Sequence, residues 1–163
     1  MSSPDPTLCA AVQASPLAKE LSAEEASVLA GLASLQAFAR KHVLASEGSI
    51  DNRLVVVVDG TLGVVKHAGT PDETLLTTLH PGDFAHELGF LDRTPRYASL
   101  VASSDSHVLF LEREKLESLI DSHPRILYHV MCAIVRTVHR VQTRLSMQAT
   151  ELTNYIVKQH GRY

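Results

Sequence analysis

The chain has 163 residues, 45% hydrophobic and 20% charged, with a formal net charge of −3. That length holds one ordinary domain with a real core plus an appendage, and the composition is that of a globular chain, not a disordered one. The acidic balance argues against a nucleic-acid footprint, and 5% aromatic content without tryptophan argues against a single-strand stacking surface. No apolar run approaches the roughly 20 residues that span a bilayer. The N-terminus lacks a basic and then apolar leader pattern, so a cytoplasmic location is expected. Cys9 and Cys132 lie far apart and form no metal-type pair.

Residues 1–15 are rich in Ser, Pro and Ala and read as a loose lead-in. Ser22 followed by Glu25 has the form of a capping box, and Val28, Leu29 and Leu32 give the helix after it an apolar face suited to packing outside a barrel. Beyond Leu35 the pattern becomes short strands broken by turns. Residues 37–40 and 42–44 are weak strand candidates, and the β-branched run Leu54-Val55-Val56-Val57-Val58 is the strongest. Asp59-Gly60 marks a hairpin, with 61–66 returning and 74–79 following after a loop. Strands are also expected over 99–102 and 107–111. Many short strands at regular turn spacing indicate an all-β barrel or jelly roll, here mainly β with flanking helices. A short helix is expected over 112–120. Pro124 then starts a long one that can run to about His160 without Gly or Pro.

Between the strands ending at 79 and beginning at 99 lies Pro81-Gly82-Asp83-Phe84-Ala85-His86-Glu87-Leu88-Gly89-Phe90-Leu91, a variable tip, then Pro95-Arg96-Tyr97-Ala98-Ser99. A guanidinium presents a planar, always-charged fork to phosphate oxygens, and a carboxylate accepts hydrogen bonds from sugar hydroxyls. The stretch resembles the phosphate-binding cassette of the cyclic nucleotide-binding domain, the sensor fold of the catabolite activator type. The resemblance covers the chain from about residue 16 to the end of the long helix, with the β-roll over 16–123 and the helix over 124–163. It implies Glu87 as the ribose ligand and Arg96 as the phosphate ligand, with Leu88, Tyr97 and Ala98 beside them. It also implies that Thr137, Val141 and Gln142 of the long helix cap the base. The ligand implied is cyclic AMP or cyclic GMP, and no other cofactor is called for.

Two residues depart from the family pattern. His86 stands where a glycine is usual and Tyr97 where a small residue is usual. His86 either donates to a phosphate and titrates, or fills the pocket and excludes the ligand. Arg96 is either a phosphate ligand or an ordinary arginine paired with Glu87 or Asp92. If the pocket is blocked, the chain is a ligand-free interaction scaffold. The nine histidines form no ligand motif, and no nucleophile elbow, phosphate loop or carboxylate pair suggests an enzyme.

Along the long helix Leu127, Met131, Ile134, Val138, Val141, Leu145, Gln148, Leu152 and Tyr155 recur in steps of three and four, the seam of a coiled coil. The resemblance makes this helix a dimer axis, with Ile134, Val138, Val141, Leu145, Gln148 and Leu152 at the interface. No winged helix-turn-helix follows it in these residues. The chain alone is therefore expected not to bind DNA but to act as a homodimer on a protein partner, or to be the sensor half of a longer transcription regulator.

Overall fold

The strongest strand of the sequence explains how the layers stack. In β3 (Arg53–Asp59), Leu54, Val55, Val56 and Val57 are all buried, and alternate side chains enter different cores. Leu54 and Val56 join a core shared with helices, while Val55 and Val57 join a core inside a β-roll. Side chains alternate with period two along a strand, and a strand covered on both faces reads as a continuous apolar run. β8 (Ser106–Glu112) repeats the division, with Leu109 and Leu111 toward the helices and Val108 and Phe110 toward the roll.

A computed structural model of the chain describes residues 5–160. The remaining strands are β1 (Ala33–Phe38), β2 (Val43–Ala45), β4 (Leu62–Lys66), β5 (Thr74–Leu79), β6 (Phe84–Ala85) and β7 (Ser99–Ala102). They form two four-stranded sheets, ordered β1-β8-β3-β6 and β2-β7-β4-β5, with every pairing antiparallel. The turn between β3 and β4 requires glycine. Gly60 has φ +73°, and a Cβ there would lie 2.3 Å from the Asp105 carbonyl oxygen. Together the sheets make the expected jelly roll with flanking helices.

Helices cover the outer face of the first sheet. α2 (Ala23–Ala30) opens on the expected capping box: Glu25 N–H donates to Ser22 Oγ at 3.1 Å, and Ser22 N–H donates to the Glu25 carboxylate at 2.9 Å. The expectation of a loose segment over 1–15 is corrected, because Pro6–Ala14 forms α1. The Asp5 carboxylate caps it by accepting from Thr7 N–H at 2.8 Å, Pro6 fits the first turn, and Val12 is fully buried in the helix-side core. Residues 1–4 lie outside the described part. β1 begins four residues before the expected strand, because its pairing with β8 runs from Ala33↔Leu111 to Phe38↔Ser106.

α4 (Arg113–Glu117) leads to α5 (Pro124–His160), 37 residues and roughly 55 Å long at 1.5 Å per residue. Ile126, Val130, Ala133 and Ile134 of its first turns are buried in the helix-side core. This corrects the place given to Ile134. It is 1% exposed and serves the chain's own helix-side core, which leaves it no surface to offer an intermolecular seam. Beyond Arg140 every described side chain of α5 is exposed. Among the described residues, no helix is long and apolar enough to cross a membrane. Truncating a fully packed Ile typically costs about 2–5 kcal/mol. Ile134→Ala is therefore expected to lower the unfolding free energy by that amount in urea melts, as Leu111→Ala should.

Candidate functional site

β6 pairs with β3 (Val55↔Ala85, Val56↔Phe84), which places residue 86 at the edge of the best-buried strand. There the chain turns sharply. His86 adopts φ 63° and ψ 27°, a left-handed conformation, and starts α3 (Glu87–Asp92), which ends at a second left-handed residue, Arg93. Such a conformation costs a non-glycine residue roughly 1–2 kcal/mol, which accounts for the preference for glycine at position 86 in the pattern. The return segment is pinned to the loop between β2 and β3: Arg96 N–H donates to the Ser49 carbonyl at 2.9 Å, and Gly48 N–H donates to the Arg96 carbonyl at 2.7 Å. Lys66 Nζ donates to the Tyr97 carbonyl at 2.7 Å, fixing the next residue.

Between these segments lies a cavity of about 390 Å³, within the range of small-molecule sites. His86, Glu87, Leu88, Arg96, Tyr97, Ala98 and Val141 all line it, against apolar walls that include Val64, Leu79 and Leu100. Two expected helix residues do not. Thr137, one turn nearer the body, is buried in packing, and Gln142, about 100° further round α5 than Val141, is exposed.

The Arg96 side chain is 3% exposed, and its partner is Asp51. Nη2 donates to Asp51 Oδ2 at 3.1 Å, whereas Nε is buried without a hydrogen-bond partner among the described residues. The same carboxylate holds Arg53 as a fork, through Nε and Nη2 at 2.9 Å each, and the Arg53 guanidinium sits 4.5 Å over the Phe110 ring. The expectation that Glu87 or Asp92 would hold Arg96 is thereby corrected. Asp92 is engaged by Thr94 N–H at 3.0 Å and Oγ1 at 2.7 Å, and among the described residues Glu87 makes no ion pair. Sequence reasoning missed Asp51 because it lies 45 residues from Arg96, in a short polar loop without a motif.

Burial pushes the Asp51 carboxyl up, but hydrogen bonding and charge from Arg53, with Arg96 adding, outweigh it and hold the carboxyl below its ordinary value. Burial draws the Arg96 guanidinium down, opposed by Asp51. With no cation beside it, the Glu87 carboxyl is pushed up by burial, against its own backbone N–H. Burial and then Arg96 lower the His86 imidazole, which favours the neutral ring. Its Nε2 lies 3.1 Å from the Asp51 carbonyl oxygen, which only accepts, so Nε2 carries the hydrogen. The ring is seated on Gly89, where an added Cβ would come within 2.0 Å of Cε1. His86 therefore lines the cavity without filling it, and Tyr97, 68% exposed, stands at the rim. A buried guanidinium with a free N–H, beside a carboxyl and apolar walls, suits an anion that also bears hydroxyls.

The family model described as the cyclic nucleotide-binding domain matches residues 35–123, which include this whole cassette and Asp51. The chain belongs to the cyclic nucleotide-binding domain family. It is 28% identical over 123 residues to a CRP-like cAMP-activated global transcriptional regulator of Mycobacterium tuberculosis, a match covering 75% of this chain and 55% of that protein. The chain thus spans little more than half the length of that relative. In structure it resembles a cyclic nucleotide-binding domain from Methylobacillus flagellatus with a TM-score of 0.77 at 22% identity, covering 88% of this chain and 82% of that one. Thermus thermophilus catabolite activator protein gives a TM-score of 0.66 at 26% identity, over 83% of this chain and 63% of that one.

Removing the Asp51 charge tests the counter-ion of Arg96. Asp51→Asn is expected to cost roughly 2 kcal/mol, less than the 3–5 of a fully buried pair, because the Arg53 side chain is 32% exposed and partly screened. A carboxyl held low in the folded state contributes stability that is complete above its unfolded value, near pH 4, and lost as pH falls through the folded value. Acid melts of the variant should therefore be flatter than wild type below about pH 4.

Proposed function

We propose that the chain is a cyclic nucleotide sensor domain that acts as a homodimer and signals through a protein partner. The observation that carries this reading is the Arg96 guanidinium: buried at an open cavity, paired with an Asp51 carboxylate that it shares with Arg53, and with Nε unpartnered among the described residues. A cyclic phosphate supplies the missing acceptor. Glu87, a carboxyl without a cation, is available to the ribose hydroxyls. Leu88, Ala98 and Val141 offer apolar contact, with Val141 over the base. The names of the relatives, a cAMP-activated regulator and a catabolite activator among them, support the ligand class. A hydrogen bond to a charged group contributes about 1.5–3 kcal/mol, so Arg96→Gln is expected to weaken binding roughly ten- to hundredfold. Isothermal titration with cyclic AMP and cyclic GMP is the measurement. Absence of heat with both at millimolar concentration would refute nucleotide sensing.

The dimer rests on α5. Val141, Leu145, Leu152 and Tyr155 are 46–61% exposed in steps of three and four, with Gln148 at one seam position and half-buried Val138 at its start. A helix with such a stripe in water calls for a partner, and a second copy supplies the same stripe. Val141 belongs both to the stripe and to the cavity wall, so a ligand that prefers one placement of α5 biases the pairing. Burying a carboxylate in the seam is costly. Leu145→Glu is expected to convert a wild-type dimer to monomer in sedimentation velocity at tens of micromolar.

A further inference from the structure

We propose that His86 makes anion binding at Arg96 proton-linked, with the imidazole on Gly89 becoming the second cation of the site when the ligand's anionic group enters. The inference rests on the reading of the cavity as an anion site but concerns a residue that departs from the family pattern. Its basis is geometric. The ring lies on the Cα of Gly89, lines the same cavity as Arg96, and is held through Nε2 by the Asp51 carbonyl at 3.1 Å. Since Nε2 already carries hydrogen toward that carbonyl, Nδ1 is the nitrogen that gains the proton.

The charges around the ring come from every neighbouring element. Arg96 arrives from the return segment, and Asp51 and Arg53 from the loop before β3 and its first residue. Glu87 and Asp92 belong to α3, and the Tyr97 phenol stands at the rim. Asp51 is shared between two guanidiniums, leaving this trio one positive charge in excess. A neighbouring imidazolium is disfavoured there, in keeping with the lowered His86. An anion that reaches Arg96 cancels the excess, and the ring then holds a proton more readily. The sign follows. Affinity rises as pH falls through the ligand-bound value of His86 and levels off below its ligand-free value. Each unit separating the two values is worth about tenfold. Glu87 acts in the opposite sense, since protonating its carboxyl removes an acceptor for hydroxyls, so its contribution must be separated.

The test is titration with cyclic AMP from pH 8 to pH 5.5 in two buffers of different ionisation enthalpy, with the His86 ring followed by NMR and assigned by its loss in His86→Asn. Asn tolerates left-handed backbone and does not titrate. Wild type is expected to bind several-fold to tenfold more tightly at the acid end, to take up a fraction of a proton per ligand, and to show the His86 titration moved upward by ligand. Uptake and slope should vanish in His86→Asn, whatever its affinity, and persist in Glu87→Gln. A pH-flat wild type, uptake surviving in His86→Asn, or a His86 titration unmoved by bound ligand would overturn the proposal. The wild-type NMR titration is repeated in inorganic phosphate. If neither cyclic AMP nor cyclic GMP binds, the sensor reading falls, while a His86 titration moved by phosphate still supports proton linkage and an unmoved one refutes it.

Discussion

The contact between Asp51 and Arg96 joins two parts of the chain that share no local sequence logic. One is the loop that feeds β3; the other is the segment that returns from α3 to β7. Backbone bonds at Gly48, Ser49 and Arg96 align the two strips, and the carboxylate neutralises a guanidinium that burial would otherwise make costly. Arg53, braced on Phe110, holds the carboxylate from its far side. Arg96 thus lines the cavity with one N–H unspent among the described residues. At the cavity wall Arg96 is a charge already largely stripped of water, which lowers the cost of organising the site for an anion.

Where physical cause was local, the sequence could be read. The β-branched run at 54–58 had to be a strand, and its lack of alternation is explained by cores on both of its faces. The capping box formed as written, since its two hydrogen bonds span three residues. The cassette was legible from its turn, acid and arginine. What escaped was non-local. Asp51 sits in a loop whose composition says nothing about a partner 45 residues on. α1 was hidden by Ser, Pro and Ala, a mixture that also describes a linker, and its order comes from Val12 reaching the helix-side core.

Ile134 shows a different limit. Spacing alone assigns it to the same stripe as Val141 and Leu145, because a helical period does not say which neighbour a face meets. Only the packed structure divides the stripe, giving the first turns of α5 to the roll and leaving the later ones uncovered. The helix is therefore two objects in one: in its first turns a wall of the chain's own core, and beyond Val141 a rod whose described side chains are exposed.

That division has a consequence for how the molecule breathes. β3 lies between two cores, so its amides open to solvent only when most of the fold does. Beyond Val141 the described side chains of α5 are exposed, and opening that stretch alone disturbs little of either core. Hydrogen-exchange protection should then descend steeply along one continuous helix, from the value of the global fold near Ile126 toward that of an isolated peptide. The residue at which the descent is arrested would mark where a second molecule begins to hold it.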